Sequence, residues 1–153
     1  MRKIDEIYMS EALKEAGEAF DRDEVPVGAI IVHKGRIIAR AHNQTVMLKD
    51  PTAHAEMIAI TEATAYLKSE RLLDSSIYVT IEPCSMCAGA LVLARAKRII
   101  YGAKDPKTGA CGSVTNIATN RRLNHRIKVT SGVLKKDCSS LLSEFFKNKR
   151  KKS

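Results

Sequence analysis

Apolar positions along this chain recur with two periods, and the switching between them predicts the elements. Met9, Leu13, Ala16 and Phe20 return at helical spacing. Residues 5–20 therefore read as an amphipathic helix, with Asp5 as its cap. A polar stretch, Asp21 to Glu24, follows. Two apolar, β-branched runs, Val27 to His33 and Arg36 to Ala41, then flank Lys34-Gly35. That pattern predicts a hairpin in which glycine supplies the positive φ. Residues 44–53 read as loop, and Asp50-Pro51 stops any helix there. Alanine, isoleucine and methionine dominate 55–67 with few charges, which predicts a buried helix. Ser76 to Ile81 reads as a third strand. Ala88 to Ala94 is small and aliphatic, a second buried helix. Arg98 to Tyr101 reads as a fourth strand, ending at Gly102. Residues 103–125 show turn chemistry, with Asp105-Pro106-Lys107-Thr108-Gly109 and then Gly112, but no periodicity. A stretch this long without regular structure is usually functional in a compact domain. Ile127 to Thr130 predicts a fifth strand. Residues 135–149 predict a helix that turns Leu141, Leu142, Phe145 and Phe146 inward.

Strands alternating with buried helices predict an α/β fold. No repeat, linker or composition break divides the 153 residues, so a single domain over 1–153 is expected, large enough to bury a core without staples. The longest apolar run, Val25 to Val32, is too short to span a bilayer and contains Pro26 and Gly28. No apolar core follows Met1-Arg2-Lys3, so no secretory signal is visible. The expected location is the cytoplasm, with no membrane partner. That compartment disfavours disulfides among the four cysteines. Cys111 and Cys138 lack partner spacing and read as ordinary small side chains, Cys138 on a helix face.

The net charge of +9 is unevenly spread. Residues 1–120 hold 15 Lys/Arg against 15 Asp/Glu, whereas 121–153 hold 11 Lys/Arg against Asp137 and Glu144 alone. The whole excess lies in the last fifth of the chain. Taken alone, such an end is as well explained by a solvated basic face as by a surface for phosphates.

The chemistry-bearing stretch runs from His54 to Cys87. It opens with His54-Ala55-Glu56 and closes with Pro83-Cys84-Ser85-Met86-Cys87. A lone C-x-x-C is a redox pair, half a zinc site or chance, and a lone H-x-E means little. Together they form the H-x-E…P-C-x-x-C pattern known for zinc nucleobase deaminases. Cys84 and Cys87 are three apart and share a helix face if a helix starts near 84, with Pro83 suited to its first position. His54 and Glu56 are two apart and would diverge within a helix. His54 is therefore expected at the cap of the second helix. His54, Cys84 and Cys87 would supply three zinc ligands, leaving one tetrahedral position open, as in catalytic sites. Glu56 would be the group that moves protons, not a ligand.

The chain resembles the bacterial tRNA-specific adenosine deaminases, within the cytidine deaminase-like superfamily. The resemblance covers nearly the whole chain. It is carried by Val25-Pro26-Val27-Gly28-Ala29, Asp50 to Glu56, Glu82 to Ala90, Tyr101 to Asp105, Lys107 to Ala110, Gly112-Ser113, Asn124-His125-Arg126 and Leu141 to Phe146. The zinc motifs identify the superfamily, and the Gly-Ala-x-Asp and Asn-His-Arg segments narrow it. The resemblance implies a three-layer α/β/α fold with a mixed sheet of about five strands and helices on both faces. It implies one Zn2+ per subunit held by His54, Cys84 and Cys87, with Glu56 as proton shuttle. It further implies a homodimer that converts adenosine to inosine at the wobble position of a tRNA anticodon stem-loop, arginine tRNA in most bacteria. Asn43 matches the asparagine that contacts the target base, and the Ala55 N–H would steady the base edge. Asp105, Lys107, Asn124, Phe146 and Arg150 fall where the family touches the anticodon loop. Lys147-Asn148-Lys149 departs from the family's arginine-rich pattern at that end. Two rival readings keep part of this: a zinc deaminase of a free base or nucleoside, and a non-catalytic zinc-stabilised RNA-binding module.

Overall fold

The computed structural model describes residues 2–152, with Lys152 described in its backbone only. Its order is α1 (Arg2–Asp21), β1 (Gly28–His33), β2 (Arg36–His42), α2 (Ala55–Leu67), β3 (Ser75–Ile81), α3 (Ser85–Leu93), β4 (Arg98–Ala103), β5 (Lys128–Thr130) and α4 (Lys135–Lys152). The five strands form one sheet in the order β2-β1-β3-β4-β5. β1 pairs antiparallel with β2 and β3, while β3–β4 and β4–β5 are parallel. The expected mixed sheet is present.

Helices cover both faces, which is why the inner strands are apolar on both sides. Successive β1 residues divide between two cores: Ala29 and Ile31 pack under α2 and α3, and Ile30 and Val32 under α1. Ile77 and Ile99 join the first core; Tyr78 and Ile100 join the second. α1 and α4 share one face, α2 and α3 the other. This is the three-layer α/β/α arrangement. The β1–β2 turn has positive φ at both Lys34 (49°) and Gly35 (78°), as a tight hairpin needs. α1 lies so close on β1 that a Cβ at Gly28 would strike Ala12 O and Ala16 N. Among the described residues, no helix is long and apolar enough to cross a membrane.

Four local expectations are corrected. Asp5 does not cap α1, which begins at Arg2. Asp5 sits buried in the first turn, where Tyr78 Oη donates to its carboxylate (2.8 Å) and Arg98 makes an ion pair with it (3.1 Å). Its spacing from the apolar stripe looks like a cap's, but the helix continues one turn before it through the exposed residues Arg2, Lys3 and Ile4. Pro83 is not the first residue of α3: Cys84 is the N-cap, and Pro83 stands before it. α3 is not buried all round, since Leu93 is 80% exposed while Val92 and Ala94 on either side of it are buried. Of the four α4 residues expected to face inward, Phe145 alone is fully buried; Leu141 and Leu142 are half-buried and Phe146 is exposed, because one stripe of this helix, with Cys138, faces the sheet and the next faces the cavity below.

Candidate active site

The site forms where the parallel strands β3 and β4 end and two helices begin. Ligands of open α/β sheets gather at such strand ends. His54 caps α2 with extended backbone (φ −74°, ψ 151°), and Cys84 caps α3 in the same way (φ −74°, ψ 177°). Neither side chain is spent on its own helix, so both are free to face each other. His54 Nδ1 lies 3.6 Å from the sulfurs of both Cys84 and Cys87. The three ligand atoms all fall within 4.8 Å of one another. A tetrahedral zinc with sulfur at about 2.3 Å and nitrogen at about 2.0–2.1 Å requires an N···S separation of about 3.6 Å. The donor set and its spacing therefore fit zinc.

The electrostatics agree. The Cys84 thiol is lowered to about 4, chiefly because the Cys87 thiol donates to its sulfur, with His54 adding to the effect. The same contact, together with burial, pushes Cys87 up. The two sulfurs thus share one negative charge, and a cation among the three donors favours the thiolate form of both. His54 is raised, first by its contact with Cys84. Glu56 is 3% exposed in the first turn of α2, and burial pushes its carboxyl up to about 7. A carboxyl poised there can both accept and return a proton near neutrality.

A cavity of about 550 Å3 opens onto these groups. Its walls bring together Asn43, His54, Glu56, Cys84, Asp105, Lys107 and Phe146 from among the residues named by sequence. Cys87 lies buried behind them. Asn124 and Arg150 are exposed and do not line the cavity. The Ala55 N–H donates to Asn43 Oδ1 (2.7 Å), which ties the start of α2 to Asn43. Asn43 consequently has two functions to offer. Its oxygen fixes the start of α2, and its Nδ2 is not used in that bond. The Asp105 carboxylate is likewise engaged, accepting the N–H groups of Lys107 (3.0 Å) and Thr108 (3.1 Å) and the Thr108 hydroxyl (2.7 Å). Behind Asn43, Arg22 Nη1 donates to His42 Nε2 (2.8 Å), which leaves His42 Nδ1–H to donate to the Asn43 carbonyl (3.1 Å).

Two buried carboxylates escaped the sequence reading. Glu24, 2% exposed, accepts the N–H groups of Val46 (3.1 Å) and Met47 (2.8 Å) and so shapes the loop before His54. Glu82, 1% exposed, accepts N–H groups from Asp105, Cys111 and Ser113. Burial pushes Glu82 up, but the Ser113 hydroxyl and these N–H groups together hold it below the ordinary glutamate value. A signal for Glu82 was present: a charge set directly between an apolar strand and Pro83-Cys84. Nothing local marks Glu24.

Comparison with known proteins agrees with this geometry. The profile of the MafB19-like deaminase family matches residues 4–150. A tRNA-specific adenosine deaminase of Bacillus subtilis is 49% identical over 148 residues, covering 97% of this chain and 92% of the relative. One from Aquifex aeolicus is 52% identical over 145 residues, covering 95% of each. A solved structure from work on A-to-I editing by tRNA deaminases at the wobble position of transfer RNA superposes with a TM-score of 0.85. It is 45% identical and covers 88% of this chain and 98% of that one. With its fold, its His-Cys-Cys cluster and these identities over nearly its full length, the chain belongs to the tRNA-specific adenosine deaminase family of the cytidine deaminase-like superfamily.

Proposed function

We propose that this protein hydrolyses adenosine to inosine at the wobble position of a tRNA anticodon, arginine tRNA foremost, as a cytoplasmic, zinc-dependent homodimer. The observation that carries the reading is the pair of 3.6 Å contacts from one imidazole nitrogen to two sulfurs, beside a buried carboxyl raised to about 7. When bound by His54, Cys84 and Cys87, zinc supplies an open coordination position that activates a water molecule.

The chain's own residues do the rest. Glu56 accepts a proton from the attacking water, whose oxygen bonds to C6 of adenine. Glu56 returns that proton to the ring N1, then takes the remaining proton from the new C6 hydroxyl and passes it to the departing amine, leaving C6 as a carbonyl. The C6–N bond then breaks, and water plus adenosine become inosine plus ammonia. Burial keeps Glu56 out of competing solvent and holds it near the pKa such two-way transfer needs. Asn43 offers Nδ2 to the base edge. Phe146, 45% exposed on the cavity rim, offers a face for stacking an unstacked neighbour. An anticodon loop yields its bases readily because they are not held in a duplex. The basic end of the chain gives the phosphates a counter-surface, which a free base or nucleoside would not require. Dimerisation is supported by an apolar groove lined by Met57 of α2, Met86 and Leu93 of α3, and Leu123 of the loop before β5.

The test is inosine formation with zinc-loaded protein. An arginine anticodon stem-loop should be converted with far higher kcat/KM than free adenosine. Equal efficiency on both would favour a nucleoside deaminase. Undiminished function in Glu56→Ala would favour a zinc-stabilised binding module.

A further inference from the structure

The cavity wall from Lys104 to Thr108 has no helix or strand, yet it is held as a fixed surface. Asp105 folds it into a turn, taking Lys107 and Thr108 onto its carboxylate and the Gly109 N–H onto its carbonyl (2.9 Å). Something must then hold Asp105 itself. That group is Glu82, the residue linking β3 to the Pro83-Cys84 turn. Its Oε1 accepts from the Asp105 N–H (3.1 Å) and the Ser113 hydroxyl (2.5 Å). Its Oε2 accepts from the N–H groups of Cys111 (2.9 Å) and Ser113 (3.1 Å). The loop crosses the carboxyl at Gly109, where a Cβ would lie 2.5 Å from Oε2 and 2.6 Å from Asp105 O. Ala110 N–H closes the arch on Pro83 O (2.8 Å). Four donors from three loop residues thus converge on one buried anion whose backbone leads directly into the Cys84 ligand.

We propose that Glu82 is the positioning residue of the substrate-facing loop, setting the Asp105–Thr108 wall against the metal turn and thereby governing how the target nucleotide is admitted. The proposal rests on the deaminase reading above. Glu82 has no role in proton transfer or in holding the metal; it acts through Asp105. An unpaired cluster of backbone donors would cost more than one broken bond, because buried N–H groups left without acceptors carry the full desolvation penalty.

Glu82→Gln separates this role from general support of the loop. The new amide nitrogen must replace one carboxylate oxygen, facing either the Oε1 or the Oε2 partners. Both Oε2 partners are backbone N–H groups and cannot accept. At Oε1 the Ser113 hydroxyl can rotate and accept, while the Asp105 N–H cannot. The amide nitrogen therefore takes the Oε1 place, and Asp105 alone loses its acceptor. Amide exchange by NMR on the zinc-loaded full chain should show Asp105 exchanging about tenfold faster, with Cys111 and Ser113 within about threefold of wild type. In the same preparation KM for the anticodon stem-loop should rise about tenfold, with kcat within about threefold and one zinc per chain retained.

Exchange that accelerates equally at all three amides, or at none, overturns the proposal, as does loss of zinc or a fall in kcat with KM unchanged. If Glu82→Gln does not fold, Gly109→Ala perturbs the same arch from the loop side. It should raise KM with zinc retained, and an unchanged KM there overturns the proposal. Wild-type protein that makes no inosine would sink the deaminase reading. Inosine made by wild type at the same KM as by Glu82→Gln would sink only the positioning role.

Discussion

Removing the carboxylate of Asp5 should destabilise the fold without touching the chemistry. Asp5 is 4% exposed and joins three elements: it sits on α1, accepts from Tyr78 on β3, and pairs with Arg98 on β4. The pair is secluded, with Arg98 and Asp5 side chains 13% and 6% exposed. Arg98 also donates to Thr130 on β5 (3.1 Å), and its Nε already lacks a partner. Asp5→Ala therefore leaves a largely buried guanidinium with one hydroxyl. Breaking such a pair from one side costs about 3–5 kcal/mol. For a domain of this size each kcal/mol lowers Tm by about 2–4 °C, so a fall of about 6–20 °C is expected. Asp5 is the residue to watch with pH as well. Burial raises its pKa, but the hydrogen bonds and charge of Arg98 and Tyr78 outweigh burial and lower it overall. A lowered carboxyl contributes stability that is complete above the unfolded value, about 3.9, and is lost as pH falls through the folded one. The stability gap between wild type and Asp5→Asn should thus be constant at pH values well above the unfolded one and close as pH falls through the lowered folded one. Thermal melts across pH, with kcat measured at a temperature where both proteins are folded, check both parts. A Tm change under about 2 °C, or a gap that persists at the lowest pH, would refute the reasoning.

Gly28→Ala drives a methyl into the α1 backbone at Ala12 and Ala16, and should cost about 1–3 kcal/mol or more, read as a lowered urea midpoint. Glu24→Ala removes the acceptor of the Val46 and Met47 amides, so these should lose exchange protection and KM should rise, while the core amides of β1 and β3 stay protected. Replacing exposed Lys147 and Lys151 by alanine should weaken stem-loop binding. It should also flatten the slope of log K against log salt by about 0.7–0.9 for each phosphate that is no longer neutralised. Wild-type affinity that does not change between about 50 and 200 mM salt would remove the phosphate role from this end of the chain.

The sheet and its helices were legible because their apolar periods are long and unbroken. Runs such as Ile30–Val32 and Ile99–Tyr101 are buried on both faces, and α2 and α3 each press a stripe of small or aliphatic residues onto the sheet, Ala55, Ala59 and Ala63 from the one and Ala88, Leu91 and Val92 from the other. The ligand cluster was legible for a different reason: two short motifs carry both the residue types and the helix starts that make them converge. What stayed hidden depends on distant partners. Asp5 looks like a cap until Arg98, 93 residues on, is seen beside it. Glu82 stands conspicuously between an apolar strand and Pro83-Cys84, but its partners, Asp105, Cys111 and Ser113, lie 23 to 31 residues on. Phe146 and Phe145 are adjacent in sequence, so periodicity alone could not say which meets the core and which meets the cavity. The bond from the Ala55 amide to Asn43 Oδ1 stayed hidden too, since an N–H at a helix start has no partner within its own helix and its acceptor here lies 12 residues earlier.

The central claim is that a metal held by three side chains and a carboxyl at Glu56 act together on an adenosine. Zinc content and inosine yield, measured side by side on an arginine anticodon stem-loop, test it most directly. Wild type should carry one zinc per chain and turn over, metal-stripped protein should be silent until zinc is restored, and Glu56→Ala should keep its zinc and make no inosine. Full activity in stripped protein, or in Glu56→Ala, would contradict the account.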